Sequence, residues 1–200
     1  MTQRDPHWNE FYLKDFIHKP SSFAVYCAPF FGNGKMIIDA GCGNGRDSHY
    51  FASLGHRVTA VDLSEQAIDV VQGYAHPNIT AICNDVANLN GVNVDLVYSR
   101  FALHSLLEEE TEDRFLAWAA GALPQEGRLY IEARSDKGLD GEYAFGTDHK
   151  RRLINFDKLQ NKLTGLGFQI VHAAESKGLA VYQKGEIIED PWVLRFIAKR

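Results

Sequence analysis

The stretch IIDAGCGNGRD, from Ile37 to Asp47, joins an apolar run to three closely spaced glycines, Gly41, Gly43 and Gly45. The apolar run is typical of a buried strand, and the residues after the glycines are typical of a helix. Glycines at the end of the first strand of a parallel α/β sheet permit positive φ angles and let a ligand approach the backbone. The following helix directs its free N–H groups and positive dipole end at the same place. The stretch therefore predicts a ligand-binding crevice at the end of this strand.

The glycine spacing separates this crevice from a dinucleotide site. A dinucleotide fingerprint has the pattern G-x-G-x-x-G, but Arg46 stands where its third glycine belongs. Asp39 also lies just before the glycines. A carboxylate there repels a pyrophosphate, whereas it attracts a ligand that carries an amino group and a sulfonium. A nicotinamide-dependent dehydrogenase is therefore the disfavoured alternative.

Strand-like and helix-like segments alternate along the whole chain. This alternation predicts an α/β fold, in which a mostly parallel, doubly wound sheet has helices on both faces. Residues 168–176 and 191–199 are two further strands without a helical pattern between them, so we expect an antiparallel pair at one sheet edge. We expect one domain over residues 1–200, divided into an N-terminal helical lid (1–33), a cofactor-binding core (34–133), an acceptor-side loop (134–154) and a closing helix and strand pair (155–200).

Composition narrows the class of protein. The chain has 200 residues, is 45% hydrophobic and carries a formal net charge of -5, which argues against a nucleic-acid binder with a broad basic surface. Its three cysteines match neither a disulfide framework nor a zinc site, so we expect no metal and a cytoplasmic location. No segment is apolar over the length needed to span a membrane.

Two further acidic residues close predicted strands. Asp62 ends the second strand, about 20 residues after the glycines, where an acid can accept hydrogen bonds from ribose hydroxyls. Asp85 ends the third strand, where it can reach an adenine amino group. Acids at successive strand ends indicate a nucleoside-containing cofactor.

These motifs resemble those of class I S-adenosylmethionine-dependent methyltransferases. The resemblance covers Met36 to Ala133, and the glycine loop is similar to that of the small-molecule branch that includes tellurite and thiopurine methyltransferases. It implies a Rossmann-like seven-stranded sheet of order 3-2-1-4-5-7-6 with the last strand antiparallel. It also implies S-adenosyl-L-methionine as the cofactor and S-adenosyl-L-homocysteine as its product.

The resemblance assigns the cofactor contacts by position. The three glycines line the methionine part, Asp39 lies near the amino group and Arg46 near the carboxylate, and Tyr98 and Ser99 close over the methionine side. The ribose and adenine contacts are Asp62, Leu63, Asp85 and Val86.

The acceptor side is predicted from residues around the fourth and fifth strands. His104 lies one helical turn after Arg100 and is the candidate general base, with Arg100 and Glu132 as further catalytic candidates. Glu132 is placed to hold a sugar hydroxyl. We expect Arg100, Arg134 and either Arg151 or Arg152 to converge on an anionic acceptor. Further candidate acceptor contacts are His149 and, in the N-terminal segment, Tyr12, for which core packing is an equally good reading.

The predicted reaction is O-methylation of a small polar acceptor, such as a sugar or phosphorylated sugar of a surface polysaccharide. The acceptor class follows from a resemblance to methyltransferase domains associated with glycan assembly. We expect the chain to be fused to or associated with glycan-assembly enzymes, and to be a monomer or homodimer. The alternatives are a tellurite- or thiol-detoxifying methyltransferase, and a non-catalytic cofactor-binding partner subunit. An RNA methyltransferase is disfavoured by the acidic charge balance.

Overall fold

The computed structural model describes residues 19–90, 94–138, 143–144, 150–184 and 187–200. A seven-stranded sheet forms its centre. Its strands are β1 (Met36–Ala40), β2 (Arg57–Asp62), β3 (Ile79–Cys83), β4 (Leu96–Arg100), β5 (Arg128–Arg134), β8 (Gln169–Ser176) and β11 (Val193–Lys199). They lie in the order β3-β2-β1-β4-β5-β11-β8. Counted among these seven strands alone, the order is 3-2-1-4-5-7-6. Because β11 pairs antiparallel with both β5 and β8, the predicted topology is confirmed.

Helices cover both faces of the sheet. They are α1 (Ser22–Cys27), α2 (Arg46–Ser53), α3 (Glu65–Gly73), α4 (Glu109–Ala122) and α5 (Phe156–Gly165). On one face, apolar side chains of α4 and α5 such as Phe115 and Leu163 pack on Val97 of β4. On the other face, Phe23 of α1 and Phe51 of α2 pack in one buried cluster. Burial on both faces is what makes the central strands almost continuously apolar.

The N-terminal segment that the sequence predicts as a lid is, in its described part, core structure. Phe23 is fully buried and stacks on Tyr98, with 5.4 Å between the ring centroids. Phe31 packs on Tyr130 and Phe51 at 5.0 and 5.1 Å. Residues 1–18, and with them Tyr12, lie outside the described residues.

The closing part of the chain is more elaborate than the sequence predicts. Two short strands, β9 (Tyr182–Lys184) and β10 (Ile187–Glu189), form an antiparallel pair between β8 and β11. The predicted loop 134–154 begins inside β5 and contains a second small pair, β6 (Tyr143–Ala144) and β7 (Lys150–Arg151). A bridge between Ser135 and Ile154 brings the two ends of this excursion together.

Candidate functional site

The glycine loop lies between β1 and α2, at the carboxyl end of the sheet. Gly41, Gly43 and Gly45 all have positive φ angles, of 77°, 55° and 76°. A Cβ atom on Gly41 would lie 2.4 Å from the Cβ of Ala102, and one on Gly45 would lie 2.6 Å from a methyl group of Val71. Packing against the protein itself therefore excludes side chains at two of the three positions.

The carboxylate of Asp62 faces this loop from the end of β2. Its Oδ2 accepts a hydrogen bond from the Gly43 N–H and its Oδ1 accepts one from the Ser64 N–H, both at 2.9 Å. Burial raises the pKa of Asp62, while these backbone hydrogen bonds lower it. Leu63 contributes a further backbone hydrogen bond. Because a carboxylate has about four lone-pair sites, the group is fixed in place and can still bind a hydroxyl.

The next strand end carries Asp85, which caps a 3-10 turn. Its Oδ1 accepts a hydrogen bond from the Ala87 N–H at 2.9 Å. The following residue, Val86, is 7% exposed and belongs to the core cluster on the α4 side. Leu63, directly after Asp62, is half-buried. Glycine loop, Asp62 and Asp85 therefore lie along the carboxyl ends of three adjacent strands, as the sequence indicates.

Asp39 is enclosed by protein rather than facing solvent. It is 2% exposed and accepts a hydrogen bond from the Ser48 hydroxyl at 2.6 Å. Burial and the nearby charge of Asp47 raise the pKa of Asp39 to about 7, against the opposing effect of the Ser48 hydrogen bond. A cationic group beside it would favour the ionised form.

Tyr98 and Ser99 lie inside β4, not beyond its end, and both are fully buried. The Tyr98 hydroxyl donates to Asp47 at 2.9 Å, and the Ser21 hydroxyl donates to the same carboxylate at 2.7 Å. Burial and the charge of Asp47 raise the pKa of Tyr98 well above its usual value. Tyr98 thus anchors α1 and α2 to the sheet, a role that the sequence does not reveal.

A ladder of charged side chains crosses β4, β5 and β11. Arg100, Glu132 and Arg195 occupy adjacent register positions on these strands. The Nε groups of both arginines donate to Glu132, one to each carboxylate oxygen and each at 2.7 Å. Glu132 is fully buried, and each of its carboxylate oxygens accepts a hydrogen bond. It therefore fixes the two arginines and is not a free acceptor for a sugar hydroxyl.

Arg195 is the main residue of this region that sequence reasoning missed. It is 7% exposed, and it also donates to the Leu179 carbonyl at 2.9 Å and the Ser22 hydroxyl at 3.2 Å. The available signal was an arginine within the otherwise apolar strand VLRFIA, since a buried charge in a strand requires a partner.

The surroundings of His104 bear on its predicted role as a base. It lies in a 3-10 turn, is 1% exposed, and its Nδ1 accepts a long hydrogen bond of 3.5 Å from the Arg134 N–H. Its ring packs on Phe101 at 5.2 Å. The Arg134 guanidinium in turn binds Glu189 at 2.9 Å. The imidazole of His104 is therefore packed inside the protein.

The expected convergence of arginines is only partly present. Arg152 turns to the opposite face, where its Nε donates to the Leu106 carbonyl at 3.0 Å and its NH2 binds Glu112. There it lines a polar cleft of about 240 Å³ between α4 and α5, in which Glu112 pairs with both Arg152 and Lys162. Arg151 is half-buried in β7, and His149 lies outside the described residues.

Within the part of the chain that the structure describes, no three His, Cys, Asp or Glu side chains are grouped so as to hold a metal ion. No helix in the same ranges has the length and apolar character needed to cross a membrane.

Several known proteins are similar to this chain in sequence or in fold. A family model described as a methyltransferase domain matches residues 37–127. The ubiquinone biosynthesis O-methyltransferase of Coxiella burnetii is 43% identical over 56 residues. That match covers 26% of this chain and 24% of the length of that relative.

Solved structures cover much more of the chain. The TehB-like methyltransferase of Corynebacterium glutamicum has a TM-score of 0.71 at 22% identity, covering 98% of this chain and 100% of that one. The 1,6-didemethyltoxoflavin-N1-methyltransferase of Burkholderia thailandensis, solved with S-adenosylhomocysteine, has a TM-score of 0.72 at 21% identity, covering 100% and 92%. At these identities the likeness shows the fold. The chain is therefore similar to S-adenosylmethionine-dependent methyltransferases in fold, and over residues 37–127 it is similar to a methyltransferase domain in sequence.

Proposed function

We propose that this chain catalyses S-adenosylmethionine-dependent methyl transfer to an oxygen of a small polar acceptor. The observation that carries the proposal is the Asp62 carboxylate, fixed by the N–H groups of Gly43 and Ser64 at the carboxyl end of β2. This is the arrangement that a ribose-binding acid needs, since the group is held in one orientation and can still accept a hydrogen bond from a ribose hydroxyl.

The residues present fit the cofactor along the same sheet edge. The backbone of the glycine loop and Asp39 would hold the methionine part, and Arg46 would bind its carboxylate. Asp62 and Leu63 would hold the ribose, with Asp85 and Val86 at the adenine. Ser99 has a buried hydroxyl without a hydrogen-bond partner in the described residues, on the strand that borders the methionine part. When bound, S-adenosylmethionine supplies an electrophilic methyl group on a sulfonium.

The chain's own contribution to the reaction is mainly positioning. A methyl transfer requires the acceptor oxygen in line with the carbon–sulfur bond, and correct placement alone supplies a large part of the rate enhancement. His104 stays the candidate base, but it is 1% exposed and its Nδ1 already accepts a long hydrogen bond from the Arg134 N–H. We therefore favour an acceptor that loses its proton to water or is already an anion.

The choice of oxygen is supported by the O-methyltransferase with the highest identity among the relatives described above. The acceptor that the sequence favours is a sugar or phosphorylated sugar of a surface polysaccharide, acted on in the cytoplasm, and none of the relatives described above is named for such a substrate. A tellurite- or thiol-detoxifying methyltransferase stays the alternative, since the likeness to the TehB-like structure is one of fold.

Calorimetric titration of the purified chain tests the cofactor assignment. We expect S-adenosylmethionine and S-adenosylhomocysteine to bind and NAD not to bind.

Asp62→Asn should weaken binding of S-adenosylmethionine about 10- to 100-fold, because it removes charged hydrogen bonds to the ribose. The matched control is Asp69→Asn, an exposed residue of α3, which should bind like the wild type. Binding of NAD alone, or equal affinities for the two variants, would contradict the assignment. A chain that binds the cofactor but turns over no acceptor would favour the non-catalytic alternative.

A further inference from the structure

Arg100 lies at the carboxyl end of β4 with its guanidinium group held in place but not fully used. We propose that Arg100, with the Phe101 ring beneath it, binds an anionic group of the methyl acceptor. This inference rests on the proposed methyltransferase function and specifies its substrate class, a carboxylate- or phosphate-bearing acceptor.

The orientation of Arg100 is fixed from two sides. Its Nε donates to Glu132 at 2.7 Å, and its guanidinium carbon lies 4.3 Å from the centroid of the Phe101 ring. Phe101 has a φ angle of 56°, unusual for a bulky residue, and its N–H donates to the Glu132 carbonyl at 2.7 Å. Left-handed backbone at a non-glycine residue costs free energy and persists where the surrounding structure requires it. Here that conformation accompanies the stacking of Phe101 with the arginine.

The terminal nitrogens of Arg100 remain available. In the described parts of the chain, Nε is the only nitrogen of the Arg100 guanidinium that makes a hydrogen bond, and the Arg100 side chain is 19% exposed. Glu132 cannot neutralise both of its partners, because its second oxygen is taken by Arg195. Two guanidinium groups and one carboxylate leave one positive charge on this ladder, at the end that reaches solvent.

A second cation faces the same place. Arg46 begins α2, and its nearest carboxylate contact is a loose one of 3.8 Å to Asp47. Asp47 already accepts three hydrogen bonds, from the backbone and hydroxyl of Ser21 and from Tyr98. Burial lowers the pKa of Arg46, and the charge of Arg100 lowers it further. Like charges held together in a partly buried site are relieved by an anion.

The two arginines can be assigned to two different anions. Arg46 adjoins the glycine loop and would be satisfied by the cofactor carboxylate. Arg100 lies on the β5 side, beyond the loop. When the cofactor is bound, the charge of Arg100 would still be balanced only in part, because Glu132 is shared with Arg195. An acceptor carboxylate or phosphate is the group that completes it, and the Phe101 ring adds an apolar surface for the body of the acceptor.

The test is a calorimetric titration of the full chain, saturated with S-adenosylhomocysteine, with inorganic phosphate as the probe. We expect wild type to bind phosphate and Arg100→Gln to bind it about tenfold more weakly or worse, since a charged hydrogen-bond pair is lost. Arg100→Lys should fall between them, because it keeps the charge but not the fork of donors. The control is Arg57→Gln, an exposed arginine at the amino end of β2, which should bind phosphate like the wild type.

Two results would overturn the inference. One is equal phosphate affinity in wild type and Arg100→Gln. The other is loss of phosphate binding on addition of S-adenosylhomocysteine, which would assign the anion site to the cofactor carboxylate alone. Failure of the proposed function is seen separately, as absence of S-adenosylhomocysteine binding in every variant. In that case the phosphate titration of the unliganded chain still reports on Arg100.

Competition against phosphate identifies the source of the anion. Displacement by glucose 6-phosphate but not by glucose supports a phosphorylated sugar. Displacement by 4-hydroxybenzoate but not by its methyl ester supports a carboxylated phenol. Equal displacement by the neutral compounds would contradict recognition of an anion.

Discussion

Gly41 and Gly45 have φ angles of 77° and 76°, and a Cβ at either position would come within 2.6 Å of a neighbouring side chain. The sequence indicates that side chains are excluded here because a ligand approaches. The structure adds a second cause, since the first and last glycines let Ala102 and Val71 pack against the loop. Gly43 has a different role, since its N–H binds Asp62, the proposed ribose contact.

The first prediction at this scale separates backbone strain from crowding. Gly41→Ala should lower the free energy of unfolding by about 2–4 kcal/mol, because strain at positive φ adds to a clash with Ala102. Gly55→Ala is the matched control, since Gly55 has a φ of 88° but no atom within 4 Å of an added Cβ. It should cost only about 1 kcal/mol. Urea denaturation measures both, and equal losses would show that crowding at Gly41 is unimportant.

A second residue-scale prediction concerns Asp39, whose pKa is raised to about 7 by burial and by the charge of Asp47. In the unfolded chain an aspartate ionises near pH 4. Between pH 4 and pH 7 the folded protein therefore holds a proton that the unfolded chain has lost, so its stability falls as pH rises through this range. Asp39→Asn cannot ionise and should remove this contribution. Unfolding in urea at several pH values compares the two slopes, and identical slopes would contradict the assignment.

At the scale of elements, the short helix α1 is held by one buried serine. Ser21 caps the helix by accepting the Ala24 N–H at 3.0 Å, and its hydroxyl donates to Asp47 of α2 at 2.7 Å. An isolated helix of six residues is unstable in water, so tertiary contacts of this kind decide whether α1 forms.

We therefore expect Ser21→Ala to lower the free energy of unfolding by about 1–3 kcal/mol, the cost of a lost cap and of one lost hydrogen bond to a buried carboxylate. The control is Ser53→Ala at the exposed end of α2, where the hydroxyl bonds only to the Tyr50 carbonyl. That change should stay within about 0.5 kcal/mol. Thermal unfolding of both variants measures the difference, and similar melting temperatures would rule out a special role for Ser21.

At the scale of the whole molecule, the alternation of strands and helices predicts a mostly parallel sheet, and its strand order was predictable through the resemblance to class I methyltransferases. The glycine loop, Asp62 and Asp85 could be placed together because they follow three parallel strands, whose carboxyl ends share one edge. Arg195 could not be placed, because its contact with Glu132 depends on the register of β11 against β5. Arg152 was misplaced because sequence gives no sign of which face a loop arginine turns to.

The charged ladder across three strands gives a prediction for global stability. Arg195→Met should lower the free energy of unfolding by about 3–5 kcal/mol, because Glu132 loses a partner while fully buried. The matched control on the same strand is Lys199→Met, whose partner Glu126 is largely exposed. It should cost less than about 1 kcal/mol. Denaturant unfolding of the two variants decides the matter, and a small loss in Arg195→Met would show that Arg100 alone suffices for Glu132.

The position of β11 bears on how the protein is made. A ribosome releases β1 to β5 first, so the glycine loop and Asp62 can take up their places early in synthesis. The outer edge of β5 then stays unpaired, and Glu132 lacks one of its arginines, until the final strand emerges and inserts between β5 and β8. We expect the nascent chain to acquire its nucleotide-binding half before its acceptor half, and a prematurely terminated product to expose an open strand edge that favours aggregation.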